Sequence, residues 1–241
     1  MILILQFRRD KTGWHEIKCF YQSLKIPFQK IQFLNLFSES LSLGIFSHFL
    51  KKAKGVIIGG LGEYSHEEKD ERKRKEFFDI KEKTKNFLKE ILKTRKPVLG
   101  ICFGHQILGE YLGAKLDFAP EQREAGIKKI FLTKEGQRDP LFSGFKKSFF
   151  AVEGHKDALF NLPPKTVHLA FNRVCPIQAF RYQKNVYGVQ FHPELDFKEL
   201  LFRLDFYKDY KKKGETLKEI KVKTEKIFEN FLRISNFEIS R

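Results

Sequence analysis

The chain has 241 residues, 41% of them hydrophobic, with a formal net charge of +16 and a sequence pI near 9.6. That length suits one large α/β domain, and that apolar fraction excludes wholesale disorder. Its three cysteines, Cys19, Cys102 and Cys175, are widely spaced and form no CxxC pair, which excludes a disulfide framework and a zinc cluster and fits a reducing, cytoplasmic setting.

The chain opens with MILILQF, a short apolar run before RRD. A secretory leader needs positive charge first and a longer apolar stretch after it, and no segment approaches the length of a membrane span. The run therefore predicts a buried first strand. Residues 12–24 predict a helix, PFQKIQFLN alternates as a strand, and AKGVIIGG is a short buried strand. Residues 67–95 predict one long helix or two short ones, with Phe77, Ile80, Phe87, Leu88, Ile91 and Leu92 close to one face. Pro97 stops it, PVLGIC is the next strand, and HQILGEYLG predicts a helix ending at Gly113. This alternation implies an α/β fold with a mostly parallel central sheet and helices on both faces.

The middle changes character. GIKKIFLT, KSFFAVEG, TVHLAFN, IQAFRY and NVYGVQF read as short strands, added or antiparallel, the last returning to the core. After FHPEL, residues 196–211 and 216–234 read as helices broken at Gly214, a helical extension over about 196–241. There is no internal repeat and no linker, so residues 1–241 are expected to form a single domain. The lysines are mixed with glutamates, as in EEKDERKRKEFFDIKEKTKNFLKE, the pattern of solvated helix faces. No recognition motif accompanies the charge, so nucleic acid is not an expected partner.

Gly100-Ile101-Cys102-Phe103-Gly104 places a thiol between two glycines after an apolar strand. A nucleophile on a sharp strand-to-helix turn needs small flanking residues, because the backbone folds back on itself; G-x-S-x-G follows the same logic. The turn lifts the side chain at the sheet's carboxyl edge and sets the sulfur at a helix N-terminus, which favours a thiolate. Taken alone, the pentapeptide fits a small buried cysteine equally well. In GVQFHPEL, His192 and Glu194 stand two apart in a stretch that Pro193 keeps extended, so both point to one side. Glu194 is then placed to hold the His192 ring while the other nitrogen faces a thiol. Taken alone, His192 fits an ordinary strand end.

Together, GICFGHQ and, ninety positions on from Cys102, FHPE resemble the class I glutamine amidotransferase family, which carries G-x-C-x-G-x-Q and H-P-E on a flavodoxin-like sheet. GVIIGGLGEYS resembles its oxyanion loop, REAGI at 123–127 its R-E-x-G stretch, and GHKDALFNLP its S-H-x-D segment, so the resemblance covers most of the chain. It is similar to the glutaminase domain of GMP synthase in free-standing form. The resemblance implies Cys102 as nucleophile, His192 as base and acid, and Glu194 as orienter. It implies oxyanion donors at the backbone N–H of Gly60 and Phe103, and substrate contacts from Gln106, Gly59 and His155. Two departures stand out: Leu61 follows Gly59-Gly60 where the family often has proline, and Gly154 precedes His155 where many relatives have serine.

His105 is expected to pack behind the turn, His155 and Asp157 to shape the pocket rim, and Cys19, Cys175 and Trp14 to be packing residues. His15, His48, His66 and His168 show no paired partner in sequence. No metal or cofactor constellation is legible, and thioester chemistry needs none. The leading expectation is hydrolysis of the glutamine side-chain amide through a γ-glutamyl thioester, releasing glutamate and ammonia. No SGGxDS-like phosphate loop accompanies it, so the chain is expected to be either a glutaminase subunit with a separate synthetase or a stand-alone enzyme, and the sequence does not choose between them. The alternatives are a γ-glutamyl peptidase using the same triad and, from another class, a non-catalytic basic binding protein.

Overall fold

Five apolar strands build the parallel half of the sheet. They are β1 (Ile2–Gln6), β2 (Ile31–Asn35), β3 (Gly55–Ile58), β4 (Val98–Ile101) and β11 (Val186–Val189), in the spatial order β2-β1-β3-β4-β11. The sheet continues through β10 (Ala179–Tyr182), β9 (Thr166–Phe171), β6 (Glu124–Leu132) and β7 (Ser148–His155), all antiparallel to their neighbours. A short pair, β5 (Leu116–Phe118) with β8 (Asp157–Leu159), lies apart from it. The computed structural model describes residues 1–62, 64–207, 210 and 217–237.

Period-two alternation sends successive strand residues to opposite faces. Leu3, Leu5, Val56, Ile58 and Val98 face α2 (Leu43–Lys52), α3 (Glu71–Lys93) and α4 (Phe103–Tyr111). Ile2, Ile4, Ile57, Leu99 and Ile101 face α1 (Lys11–Leu24) and α6 (Lys226–Ile234). Both faces are buried, which is why these strands read as unbroken apolar runs. Helix starts follow capping chemistry: Asp10, Ser42, Asp70 and Asp196 accept from Thr12, Ile45, Lys73 and Glu199 backbone N–H groups. The Asp70 cap begins α3 at Glu71 rather than residue 67, and it runs as one helix to Lys93.

The mostly parallel sheet with helices on both faces matches the sequence reading. Three features depart from it. α2, with Phe46 and Leu50 buried, was not signalled against its glycine and polar neighbours. The β5–β8 pair was not expected. The C-terminal extension is not continuously helical: α5 (Phe197–Phe206) and α6 are separated by non-helical chain from residue 217 to 225. There, contacts with three different groups compete with helix. Leu217 approaches Gly126, Val222 packs with Leu195 and Leu200, and Thr224 Oγ1 donates to Pro193 O at 3.4 Å. The expected break at Gly214 and the end of the helix expected to reach residue 211 lie outside the described residues.

α6 docks through Ile227, Phe228, Phe231 and Leu232, with Asn230 Nδ2 donating to Leu141 O at 2.9 Å and Ser143 O at 3.0 Å. Phe231→Ala is expected to cost about 3–5 kcal/mol, a fall in Tm of roughly 6–20 °C by thermal unfolding. A fall under about 2 °C overturns the docking of α6 as a core element.

Candidate active site

Four adjacent parallel strands deliver side chains to one carboxyl edge: Arg8 after β1, Gly59 and Gly60 after β3, Cys102 after β4 and His192 after β11. β4 ends at Ile101 and α4 begins at Phe103, so Cys102 makes the turn alone, at φ 52° and ψ −106°. A non-glycine residue takes such a conformation only where its surroundings dictate it. Here Cys102 N–H donates to Val189 O at 2.9 Å, and Gln106 N–H donates to Cys102 O at 3.0 Å. A Cβ on Gly100 would lie 2.4 Å from Gly104 O, and one on Gly104 would lie 2.2 Å from Ile58 O. Both flanking glycines are sterically required.

His192 is fixed by its own backbone, whose N–H donates to Val152 O at 2.8 Å in a bridge to β7. Its Nδ1 donates to Glu194 Oε1 at 2.8 Å, the tautomer that a buried carboxylate dictates. Cys102 and His192 line one cavity of about 30 Å³. A Cβ on Gly60 would lie 3.2 Å from His192 Cε1, 3.3 Å from Arg8 Nη2 and 3.7 Å from Cys102 Cβ, so these groups are neighbours.

Two buried arginines absent from the sequence reading join them. Arg203 on α5 donates through Nη1 to Glu194 Oε1 at 3.1 Å, and that nitrogen lies 3.4 Å from His192 Nδ1. Arg8 pairs with Glu16 at 3.2 Å and donates to the Tyr207 hydroxyl at 2.8 Å. Neither belongs to a recognisable motif. The available signal was Arg8 directly after an apolar strand, where a charge sits at the sheet's carboxyl edge.

Burial dominates the electrostatics. It pushes the Cys102 thiol up to about 12, with Glu153 and Glu194 adding to the rise and Arg8 and the Phe103 N–H opposing it. The helix N-terminus predicts a lowered value, and desolvation outweighs it. Burial also lowers His192; Glu194 pulls upward, while Arg203 and Arg8 pull down. Glu194 resists burial because His192 and Arg203 hold its carboxylate down at about 2. The resting pair is thus a neutral thiol beside a neutral imidazole backed by a permanent carboxylate.

The other expected residues divide. Gln106 lines a second cavity of about 10 Å³ with Cys102, Phe103 and His155. Its Nε2 donates to Asp157 O at 2.7 Å and Gln190 Oε1 at 3.2 Å. Gly60 N–H donates to no backbone carbonyl among the described residues. Gly59 instead supports the loop, its N–H donating to Leu5 O at 2.9 Å and its carbonyl accepting from Gly104 N–H at 3.2 Å. His155 turns both ring nitrogens toward protein groups: Nδ1 to Asp157 O at 3.1 Å, and Nε2 toward Glu124 and Glu153.

His105 is buried against Phe180. Trp14 is 78% exposed and so does not pack in the core. His66 and His15 do have partners: His66 Nδ1 donates to Asp157 Oδ2 at 2.7 Å, and His15 Nε2 pairs with Glu199. Neither partner is near in sequence. Two groups, His15–Cys19–Glu199 and Glu124–His155–Cys175, gather metal-ligating atoms within 4.8 Å, and all three members of the second are buried. Among the described residues no helix is long and apolar enough to cross a membrane.

Residues 39–201, more than half of the chain, match the family model described as Glutamine amidotransferase class-I. A glutamine-hydrolyzing GMP synthase subunit from Methanococcus aeolicus is 38% identical over 119 residues, 49% of this chain and 61% of that protein. Its counterpart from Methanocaldococcus jannaschii is 35% identical over 146 residues, 60% of this chain and 66% of that protein. The chain thus spans less than two thirds of the length of these relatives. A crystal structure of a Thermotoga maritima glutamine amidotransferase superposes with TM-score 0.66 at 20% identity, covering 98% of this chain and 93% of that one. One from Methylobacillus flagellatus superposes with TM-score 0.67 at 17% identity, covering 97% and 94%. These structures share the fold.

Arg203 generates a signed prediction. It lowers His192, so Arg203→Met is expected to make the ring titrate at higher pH than in the unaltered protein, read from the His192 Hε1 resonance. An unchanged or lower titration point overturns the placement of this charge.

Proposed function

The chain belongs to the class I glutamine amidotransferase family, and we propose that it hydrolyses the side-chain amide of glutamine through a γ-glutamyl thioester on Cys102. The observation that carries this reading is the constellation at one sheet edge: Cys102 on a constrained turn, Gly60 against it, and His192 held by Glu194 in the tautomer that leaves Nε2 for the thiol. The relatives described as glutamine-hydrolyzing support it.

In the proposed mechanism the Cys102 proton passes to His192 Nε2 as sulfur attacks the amide carbon. The oxyanion is received by the N–H groups of Phe103 and Gly60, each worth roughly 3 kcal/mol in such sites. The imidazolium returns its proton to the departing nitrogen, and ammonia leaves. Water, deprotonated by His192, then attacks the thioester carbon and releases glutamate with the thiol restored. A neutral thiol–imidazole pair fits this order, because the thiolate forms only when substrate accepts the attack. The Cys102 cavity has room for only two or three water molecules. Leu61 and Tyr210 line both cavities beside Cys102 and so border the space that glutamine would enter. Ammonia is passed to an acceptor on a separate synthetase subunit.

A glutamine-analogue electrophile is expected to label Cys102 at one equivalent, blocked by glutamine. With glutamine, and with the synthetase partner supplied, Cys102→Ala is expected to release no ammonia above background. Glu194→Gln should lower kcat by on the order of 10²–10⁴. Labelling spread evenly over Cys19 and Cys175, or ammonia release surviving in Cys102→Ala, overturns the proposal. Glutamate release from γ-glutamyl peptides with none from glutamine moves the same site to peptidase chemistry.

A further inference from the structure

Arg8 pairs with Glu16 in a way that packing alone does not explain. A buried guanidinium meets a carboxylate best side-on, with two parallel N–H groups on two oxygens. Here only Nε reaches Glu16, donating to Oε1 at 3.2 Å, and Glu16 Oε2 is buried with no hydrogen-bond partner among the described residues. Nη1 donates to the Tyr207 hydroxyl at 2.8 Å and to Thr12 Oγ1 at 3.4 Å. Nη2, the arm that would serve Oε2 in a side-on pair, donates to no described residue. It lies beside Gly60, 3.3 Å from where a Cβ would stand, on the side that faces His192 Cε1 and Cys102 Cβ. Arg8 lines the cavity that holds Cys102 and His192.

We propose that Arg8 is a further catalytic residue of the amide hydrolysis proposed above, its Nη2 donating to the substrate oxygen that becomes negative when Cys102 attacks. A single open arm suits one oxygen atom, whereas a substrate carboxylate calls for two parallel donors. The arm also sits at the reacting end of the site, beside Gly60 and the thiol. Arg203, the other arginine on this cavity, gives Nη1 to Glu194, and its Nε and Nη2 are sealed in the interior. Arg8 Nη2 is not sealed in that way.

Burial works against the Arg8 charge, but Glu16 outweighs it and the guanidinium stays protonated. Burial also dominates at Cys102; against it, Arg8 is the strongest charge acting on the thiol and pulls it down. The loop after β3 has Leu61 in place of a proline that would fix it. A cation anchored on Glu16, Thr12 and Tyr207 gives the oxyanion a partner held from outside that loop. As sulfur bonds to the amide carbon, its proton passes to His192 Nε2 and the carbonyl π pair moves onto oxygen. Arg8 keeps its proton and holds that oxygen by an N–H···O bond until the pair returns and the C–N bond breaks.

The test measures glutamine hydrolysis by the full chain, with the synthetase partner supplied. Beside it runs alkylation of Cys102 by iodoacetamide, which forms no oxyanion, read at that residue by mass spectrometry. Arg8→Lys keeps a cation for Glu16, but one that cannot also reach the substrate oxygen. The double variant Arg8→Gln with Glu16→Gln removes both charges together, so no buried ion is stranded. Each is expected to lower kcat by about 10²–10³ with KM changed less than about threefold. Alkylation should fall by less than about tenfold. Arg9→Gln, which removes the neighbouring arginine paired with Glu76, should leave kcat within about twofold. A fall in kcat under about tenfold in either Arg8 variant overturns the proposal. So does a parallel loss of hydrolysis and alkylation, the mark of a residue that only tunes the thiol or shapes the site, or an equal loss in Arg9→Gln. Failure of both Arg8 variants to fold makes the residue structural and overturns it as well. No ammonia from the unaltered protein overturns the hydrolysis itself, whereas turnover that survives the loss of Arg8 overturns this role alone.

Discussion

The site depends on how closely two backbones approach at Cys102. Gly104 lies against Ile58 O and Gly100 against Gly104 O, at separations where no Cβ fits. That contact forces the residue between them to a positive φ, and a cysteine there projects from the sheet instead of entering a strand or helix register. The same contact joins β3 to β4, since Gly104 N–H donates to Gly59 O. Gly60 therefore arrives beside the thiol because the turn is tight. The strand-to-helix geometry and the loop that receives the proposed oxyanion are one steric solution.

Around that turn the chain places charge in compensated pairs. Arg8 is matched by Glu16, and Arg203 by Glu194, all of them buried. Buried ions cost several kcal/mol each unless paired, so each arginine must bring its own carboxylate. The net effect on His192 is not zero, because its distances to the charges differ. Glu194 touches Nδ1 and Arg203 stands slightly farther away, so the ring is oriented by one charge and restrained from protonation by the other. An imidazole that stays neutral while bonded to a carboxylate can take a proton from a thiol as attack occurs. That is the timing a thiol held near 12 requires.

Local chemistry was legible in the sequence, and long-range pairing was not. Apolar runs and their glycine or proline ends located the parallel strands, because strands buried on both faces need nothing but apolar side chains. Gly100, Cys102 and Gly104 were readable because the steric demand lies within five residues; His192 and Glu194 were readable because they stand only two apart, although Pro193 and Glu194 form a turn, with Leu195 N–H donating to His192 O at 3.4 Å, and not the extended chain expected. Arg203 and Arg8 were hidden, since their meaning arises from partners on other elements. The same holds for His66 with Asp157 and His15 with Glu199. The extension after α5 misled for a related reason: Leu217 and Val222 contact separate groups on other elements from non-helical chain.

The departures from the family pattern are informative at the loop after β3. Leu61 stands where a proline would fix φ, so rigidity has to come from outside the loop. The structure supplies it from two ends of the chain. Arg8 and Tyr207 pack so tightly on Gly62 that a Cβ there would lie 2.1 Å from Arg8 Nη1 and 2.4 Å from Tyr207 Cζ, and the Tyr210 hydroxyl donates to Gly62 O at 3.2 Å. Tyr207 in turn bonds Arg8 and, at 2.6 Å, Thr12 Oγ1. What a proline would do through one covalent ring is done here by contacts that can break and reform. The loss of proline and the small cavity at Cys102 meet in the same residues: Tyr207 and Tyr210, which hold the loop after β3, also line that cavity.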